Sequence, residues 1–253
     1  MEVLAEKRQE IILKMLKNDN IVKIQDICNQ TACSESSARR DLQLLEEQGL
    51  LTRVHGGAKL KYSLQQELDV VGKSVQNTSE KAALAKYVAT LIQENDVLYL
   101  DAGTTTLNVV DYLRPGMKVT VVTNGVSHAS KLADRGIQTI VLGGRLKGNT
   151  KAVVGSQALA ALSSYRFNKA IIGINGIHPQ YGLTTPDPDE AALKRLAIEQ
   201  SEQTFVLADA SKFSAVSFVQ IANLDQVEIV TGKLPAHIRR QYNNQTSIQE
   251  VFK

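Results

Sequence analysis

The sequence predicts an α/β multidomain protein: a small N-terminal bundle of three helices closed by a β-hairpin, followed by a larger α/β domain. Three observations carry this reading. Apolar residues recur at helical spacing three times before residue 49, a glycine pair then separates two short apolar stretches, and from Ser79 onward short apolar runs alternate with helical segments. Continuous apolar strands of that kind belong to a parallel sheet covered on both faces.

The first helix runs from Glu6 to about Asn18, with Ile11, Ile12, Met15 and Leu16 on one face and charged residues on the other. A second, short helix spans about Ile24 to Gln30, and Thr31-Ala32-Cys33 makes a tight connection. Ser34 is placed to cap the third helix, about Glu35 to Gln48, which buries Ala38, Leu42 and Leu45. Gly49 stands where a left-handed residue ends a helix. Leu50–Val54 and Ala58–Lys61 flank His55-Gly56-Gly57 as a hairpin, and three helices with such a ribbon make a winged helix-turn-helix. We place this domain at residues 1–60, a weakly periodic linker containing one short helix at 61–78, and the α/β domain at 79–253. Its strands are expected at Val97–Leu100, Val119–Val122, Thr139–Leu142, Ala170–Ile174, Phe205–Ala208 and Val227–Val230. A helix from Lys81 to Gln93 precedes the first strand, and another runs through Tyr112 after Gly103-Thr104-Thr105-Thr106.

Composition narrows the function classes. With 253 residues, 43% hydrophobic and 22% charged, the chain is neither a fibrous rod nor a disordered tail. No apolar run reaches the roughly 20 residues of a membrane span, and the charged N-terminus lacks a signal-peptide core, so a cytoplasmic protein is expected. Residues 1–61 hold ten Lys/Arg against nine Asp/Glu, and the net charge of +3 permits nucleic acid without announcing it. Absence of Trp and few aromatics argue against a base-stacking single-strand binder. Cys28 and Cys33 read as core filling. With His55 they match no common zinc spacing, and neither metal nor cofactor is expected.

The third helix presents Ser34, Glu35, Ser36, Ser37, Arg39 and Arg40 on its outer face. Hydroxyls bond phosphates or base edges, and arginine pairs bidentately with guanine or clamps phosphate. Double-stranded DNA is the matching partner, although a three-helix bundle with a solvated charged face fits the same residues. In the second domain, a strand ending at Asp101 followed by Gly103 and three threonines opening a helix gathers N–H groups and hydroxyls around one small volume. Phosphate suits it, with Lys212 as a compensating charge, while plain helix capping explains the threonines equally. Asp187-Pro188-Asp189-Glu190 opens another helix with its cap and a first-turn proline.

The stretch from Ser34 through Arg39-Arg40-Asp41-Leu42, and then Leu51-Thr52-Arg53-Val54-His55-Gly56-Gly57-Ala58, closely resembles the DNA-binding region of the DeoR family of bacterial transcription regulators. Its recognition helix typically reads S-x-x-T-[IV]-R-R-D-L and its wing R-V-H-G-G-A; this chain departs at Ser37 and Ala38. The resemblance continues through Leu100–Thr106, Val122-Thr123-Asn124, Gly173–Ile177, Gly182–Thr185 and Ala208–Phe213, covering nearly the whole chain. It implies a sensor domain similar in fold to ribose-5-phosphate isomerase and a phosphorylated-sugar effector. It adds Arg53 and His55 to the DNA-binding set, and Asn124, Asn175, Glu190 and Lys194 to the effector set. Within the family the chain looks most like fructose-operon repressors, which implies fructose 1-phosphate, with lactose/tagatose-pathway repressors next.

Two other function classes compete with a sugar-phosphate-responsive repressor. A sugar-phosphate isomerase with an accessory DNA-binding domain needs a carboxylate base; where the isomerases carry D-G-x-D, this chain has Ile174-Asn175-Gly176, and asparagine is no base. Glu190 is then the remaining acid. A DNA-binding protein whose α/β domain only oligomerises is the blander reading. Either DNA-binding reading calls for a homo-oligomer, dimer or tetramer, because one winged helix reads a short half-site.

Overall fold

The computed structural model describes residues 4–19, 21–60, 64, 74 and 77–251. The chain divides into two compact units, Met1–Ser63 and Leu64–Lys253. The expected linker and its short helix lie outside the described residues except at 64, 74, 77 and 78.

In the first unit, α1 (Ala5–Asp19), α2 (Ile24–Thr31) and α3 (Glu35–Glu47) close over Ile12, Leu16, Ile27, Ala38, Leu42 and Leu45, all buried. Ala32 takes the left-handed conformation between α2 and α3, and Ser34 caps α3 by accepting the N–H of Ser37 at 3.2 Å. Gly49, with φ 73°, ends the helix as expected. The wing departs from a simple hairpin. Besides β2 (Leu51–Val54) and β3 (Gly57–Leu60), a strand β1 (Ile21–Lys23) pairs antiparallel with β3, giving the order β1-β3-β2. That third strand explains the second glycine of the pair. Gly56 turns the chain at φ 78°, whereas a Cβ on Gly57 would stand 2.0 Å from the carbonyl oxygen of Val22. Cys33 is buried in this core and Cys28 packs at its edge. Asp41 is buried too, held by an ion pair with Arg8 and by the amide of Gln9 at 3.3 Å.

The second unit opens with α4 (Thr78–Thr90) and is built on a seven-stranded, all-parallel sheet. Its strands are β4 (Val97–Leu100), β5 (Thr120–Thr123), β6 (Gln138–Val141), β9 (Phe167–Gly173), β12 (Ser201–Leu207), β14 (Glu228–Thr231) and β15 (Ser247–Glu250), in the order β15-β14-β12-β9-β4-β5-β6. The first six match the expected runs; β15 was not foreseen. Side chains alternate between faces as a strand requires. Leu98, Leu100, Val121, Ile171, Phe205 and Leu207 enter one core with α4, α6 (Val109–Tyr112) and α7 (Val126–Asp134). Tyr99, Val122, Ala170, Ile172 and Val206 enter another with α8 (Ser156–Ser163) and α9 (Pro188–Glu199). Smaller antiparallel pieces flank this sheet: β7 (Arg145–Leu146) with β8 (Val153–Val154), and β10 (Gly176–His178), β11 (Gly182–Thr185) and β13 (Val219–Ala222).

The chain begins the sheet at β4, proceeds through β5 and β6 to one side, then returns to β9 on the other. Strand order therefore reverses between β4 and β9, and in such sheets a crevice opens there at the carboxyl ends. The loop after β4 is fixed from below. Thr106 bonds the carbonyls of Asp101 at 2.6 Å and Gly103 at 3.0 Å and lies 3.0 Å from Nε2 of His128. Since the threonine proton is used on a carbonyl, the ring nitrogen is the donor to Oγ1. Gly125 makes room for this ring: a Cβ there would stand 2.3 Å from Nδ1. Burial, opposed only by a bond with the Gly103 backbone, lowers the His128 pKa from 6.5 to about 3.

A neutral buried histidine sets a sign for stability against pH. The unfolded chain binds the proton below 6.5 and the folded chain does not, so stability is present above that pH and is lost as pH falls toward 3. At pH 5 the loss assignable to this group is about 2 kcal/mol. Urea unfolding at pH 7 and pH 5 measures it, and His128→Gln, which keeps an amide for Thr106, should remove that part of the difference; an unchanged difference in the variant would place its origin elsewhere.

Candidate functional site

Two surfaces collect the functional side chains, one on each unit. On the first, Ser34, Glu35, Ser36, Arg39 and Arg40 are exposed along α3, and Ser37 is half-buried. The hydroxyls of Ser36 and Ser37 lie 2.9 and 3.1 Å from that of Ser34, so three hydroxyls cluster at the helix start. Arg39 pairs with Glu35 at 3.2 Å, with both side chains more than half exposed. Arg53 is held differently. Its backbone N–H and its Nε both donate to Glu46, at 2.8 and 2.6 Å, and these bonds keep the Glu46 carboxyl below its ordinary range. The wing is thereby clasped to α3. A groove runs between them, lined by Arg39, Leu42 and Glu46 on one side and Arg53 through Gly57 on the other. Arg39, Arg53 and His55 meet along it, while Ser34, Glu35, Ser36, Ser37 and Arg40 stand outside its lining.

The second surface is the cleft at the carboxyl ends of β4, β9 and β12. Asp101 follows β4 and is 2% exposed; its Oδ2 accepts Nζ of Lys194 from α9 and the N–H of Gly173 at 3.0 Å. Burial raises the Asp101 carboxyl despite both partners. Glu190, on the first turn of α9, accepts Nζ of Lys147 at 2.7 Å and the hydroxyl of Thr150 at 2.8 Å. That helix starts as the sequence predicts, with Asp187 accepting the N–H of Glu190 at 2.9 Å and Pro188 in the first turn. Asn175, after β9, accepts the hydroxyl of Thr185 at 2.9 Å. Across the cleft, Lys212 ends a one-turn helix, Ala210–Lys212, capped by Asp209. Burial works to raise the Asp209 carboxyl, but the Lys212 charge and bonds from Ser211 and Asn77 override it and hold the group below its ordinary range.

Asp101, Gly103, Thr104, Thr105, Asn175, Glu190, Lys194 and Lys212 all line this cleft. Thr106 and Asn124 do not. Thr106 is fully buried with its hydroxyl spent on the loop, and Asn124, 1% exposed, accepts the N–H of Ala102 at 2.9 Å. Both hold the loop from beneath rather than face the cavity. The helix after Gly103 is also shorter than expected: α5 (Thr104–Leu107) spans four residues before α6, so its dipole is that of a single turn. Cationic side chains supply more. Lys81, which sequence reasoning missed, is 5% exposed on α4 and sets Nζ 3.1 Å from Oγ1 of Thr104. Its signal was its spacing: Lys81, Leu84, Ala85 and Val88 form the buried stripe of α4. Thr150 and Asp209 also line the cleft without having been singled out.

Among the described residues, no group of three His, Cys, Asp or Glu is placed to hold a metal ion, and no helix is long and apolar enough to cross a membrane. Both carboxylates on the α9 side are engaged by lysines, and the asparagine at 175 offers no base.

Comparison with known proteins agrees with this architecture. The chain is 41% identical to an uncharacterized HTH-type transcriptional regulator named FruR, of Bacillus subtilis, over 98% of this chain and 99% of that one. It is 36% identical to the transcriptional repressor GlcR of the same organism, covering 91% and 89%, and 36% identical to the lactose phosphotransferase system repressor of Lactococcus lactis, covering 82% of each. A solved ribose 5-phosphate isomerase from Methanocaldococcus jannaschii aligns over 54% of this chain and 55% of that one at 15% identity with a TM-score of 0.41, too loose a likeness to carry weight. These three relatives are regulators, not enzymes. Residues 8–63 match the DeoR-like helix-turn-helix domain and residues 76–233 the DeoR C terminal sensor domain, so the chain belongs to the DeoR family of transcriptional regulators.

Proposed function

We propose that this chain represses a sugar-metabolism operon, binding double-stranded operator DNA through α3 and the wing, and that a phosphorylated sugar in the cleft changes its operator affinity. One observation carries the sensing half: Lys81 on Thr104, with Thr105 and Lys212 lining the same cleft at the sheet's switch point, in a chain whose other unit is a winged helix. Ammonium groups and hydroxyls are the donors a phosphate requires. Asp101, Asn175, Glu190 and Thr150 suit sugar hydroxyls, the carboxylates and the Thr150 hydroxyl oxygen accepting and the asparagine amide donating. We favour fructose 1-phosphate, a choice motivated by the likeness to the regulator named FruR, and we favour release of the operator as its effect.

The DNA half is tested by replacing Arg39 and Arg40 with alanine. Each contact to a base edge or phosphate is worth about 1–3 kcal/mol, so losing both should cost several kcal/mol and weaken operator binding at least about 30-fold at fixed salt, with circular dichroism unchanged. Undiminished affinity would remove α3 from the interface.

For the sensing half, operator complexes are titrated with fructose 1-phosphate and with fructose. Only the phosphate should dissociate them, and Lys212→Ala or bulky apolar replacements at Thr104 and Thr105 should abolish the response. Equal responses to both sugars would show that the phosphate donors are not the sensor. Assembly is a separate matter: two half-sites call for an even number of chains joined mainly through the α/β unit, so light scattering should give a dimer or tetramer, and a monomeric mass with and without operator would refute it.

A further inference from the structure

The loop from β7 to β8, residues 147–152, is fastened on two sides. On one, the N–H of Val153 bonds the carbonyl of Asn124 at 2.7 Å, and Ala152 bridges Gly125, just after β5. On the other, Lys147 sets Nζ 2.8 Å from Oδ2 of Asp187, the cap of α9, and 2.7 Å from Oε1 of Glu190 in its first turn. Arg145, at the start of the hairpin, adds a bond to Asp189 at 2.6 Å. The same Oε1 of Glu190 accepts the hydroxyl of Thr150, from the same loop, at 2.8 Å. Lys147, Thr150 and Glu190 are each less than a tenth exposed. Glu190 and Thr150 line the cleft; Lys147 and Asp187 do not.

Two donors on one carboxylate oxygen decide what this wall offers a ligand. A carboxylate only accepts, and the Thr150 proton is spent on Glu190, so both groups meet a ligand as acceptors. Of the donors that share the α9 side of the cleft, Lys194 is taken by Asp101, and the Asn175 amide stands apart at the end of β9. Resting on the sugar-phosphate reading above, we infer that Lys147 is the positioning residue of a hydroxyl-reading wall. It holds Glu190 and, through that carboxylate, Thr150, so that the cleft selects phosphorylated sugars with neutral, hydroxyl-bearing chains over phosphorylated sugar acids. A ligand hydroxyl donates to Glu190 or Thr150, whereas a ligand carboxylate set there meets two acceptors and leaves them all without a proton to share. Sites that hydrogen-bond a substrate group reject its mismatch steeply for this reason. Removing the lysine strands Glu190 and Asp187 and loosens the loop that carries Thr150, while Lys81, Thr104 and Lys212 keep their own contacts.

The full chain is titrated by calorimetry with fructose 1-phosphate, glucose 6-phosphate, 6-phosphogluconate and inorganic phosphate. In the parent, the tighter of the two neutral sugar phosphates should bind at least about tenfold more tightly than inorganic phosphate or 6-phosphogluconate, the factor of about one hydrogen bond to a charged group. Lys147→Met and Thr150→Val should each remove most of that advantage while inorganic phosphate stays within about threefold of the parent. Thr150→Val leaves every ion pair in place and so reports even where Lys147→Met unfolds. Glu190→Gln brings amide donors to the wall and should raise the affinity for 6-phosphogluconate about tenfold, which a merely structural carboxylate would not do. Parallel losses of sugar phosphate and inorganic phosphate in Thr150→Val, an unchanged advantage in both loop variants, or no gain for 6-phosphogluconate in Glu190→Gln would each overturn the wall. A parent chain that binds the neutral sugar phosphates no better than inorganic phosphate or 6-phosphogluconate overturns it too and leaves phosphate sensing standing. A parent that binds none of the four overturns the sensing reading first, and the wall with it.

Discussion

The Asp101 carboxylate is the constraint around which the second unit is arranged. A charge 2% exposed at the end of a central strand must be compensated, and the fold supplies Lys194 from α9 and an N–H from the end of β9. Asp101 leaves β4 while both partners come from the β9 side of the point where strand order reverses, so satisfying one carboxylate ties β4 to β9 and α9. Taking away the lysine would leave a buried charge at a cost of about 3–5 kcal/mol, a large share of a domain's stability. The cleft is the space left above this pair.

That geometry divides the cleft chemically. On the α9 side each carboxylate already has a lysine, Asp101 with Lys194 and Glu190 with Lys147, so this side offers oriented acceptors without a free base. On the α4 side Lys81 and Lys212 stand over threonine hydroxyls and one capping aspartate. A ligand with a dianion at one end and hydroxyls at the other matches both sides at once, whereas a neutral sugar gains nothing from the charges of Lys81 and Lys212.

Much of this was legible in the chain because buried parallel strands are continuous apolar runs, as at Val97–Leu100 and Ala170–Ile172, and because Ser34, Gly49 and Asp187-Pro188 punctuate helices by local chemistry alone. What escaped was short or depended on distant partners. Ile21-Val22-Lys23 is too brief to show a period, and only its approach to Gly57 reveals why a second glycine stands in the wing. Thr106 and Asn124 have the right chemistry for a ligand, but the backbone of Asp101, Gly103 and Ala102 claims them first, which no local pattern displays. Lys81 was hidden for the opposite reason: a lysine in a helix reads as solvated, and only its place on the apolar stripe marks it as buried.

Exposure separates the ion pairs that build the molecule from those it can exchange. Arg8–Asp41 and Lys194–Asp101 have side chains less than a tenth exposed, and breaking either strands a charge in a poorly hydrated site. Arg39–Glu35, with both side chains over 60% exposed, contributes about 0–1 kcal/mol, so a DNA phosphate can take the arginine at little cost. Arg53 occupies the middle ground, clasped twice by Glu46 at a partly exposed site, which suits a residue that must hold the wing in place while still bordering the groove. Half-buried Lys212 carries the charge that does most to hold the Asp209 carboxyl below its ordinary range. Under the proposed function each phosphate meets a cation that already offsets a nearby carboxylate, so binding on either unit is an exchange of partners rather than the filling of an empty charge site.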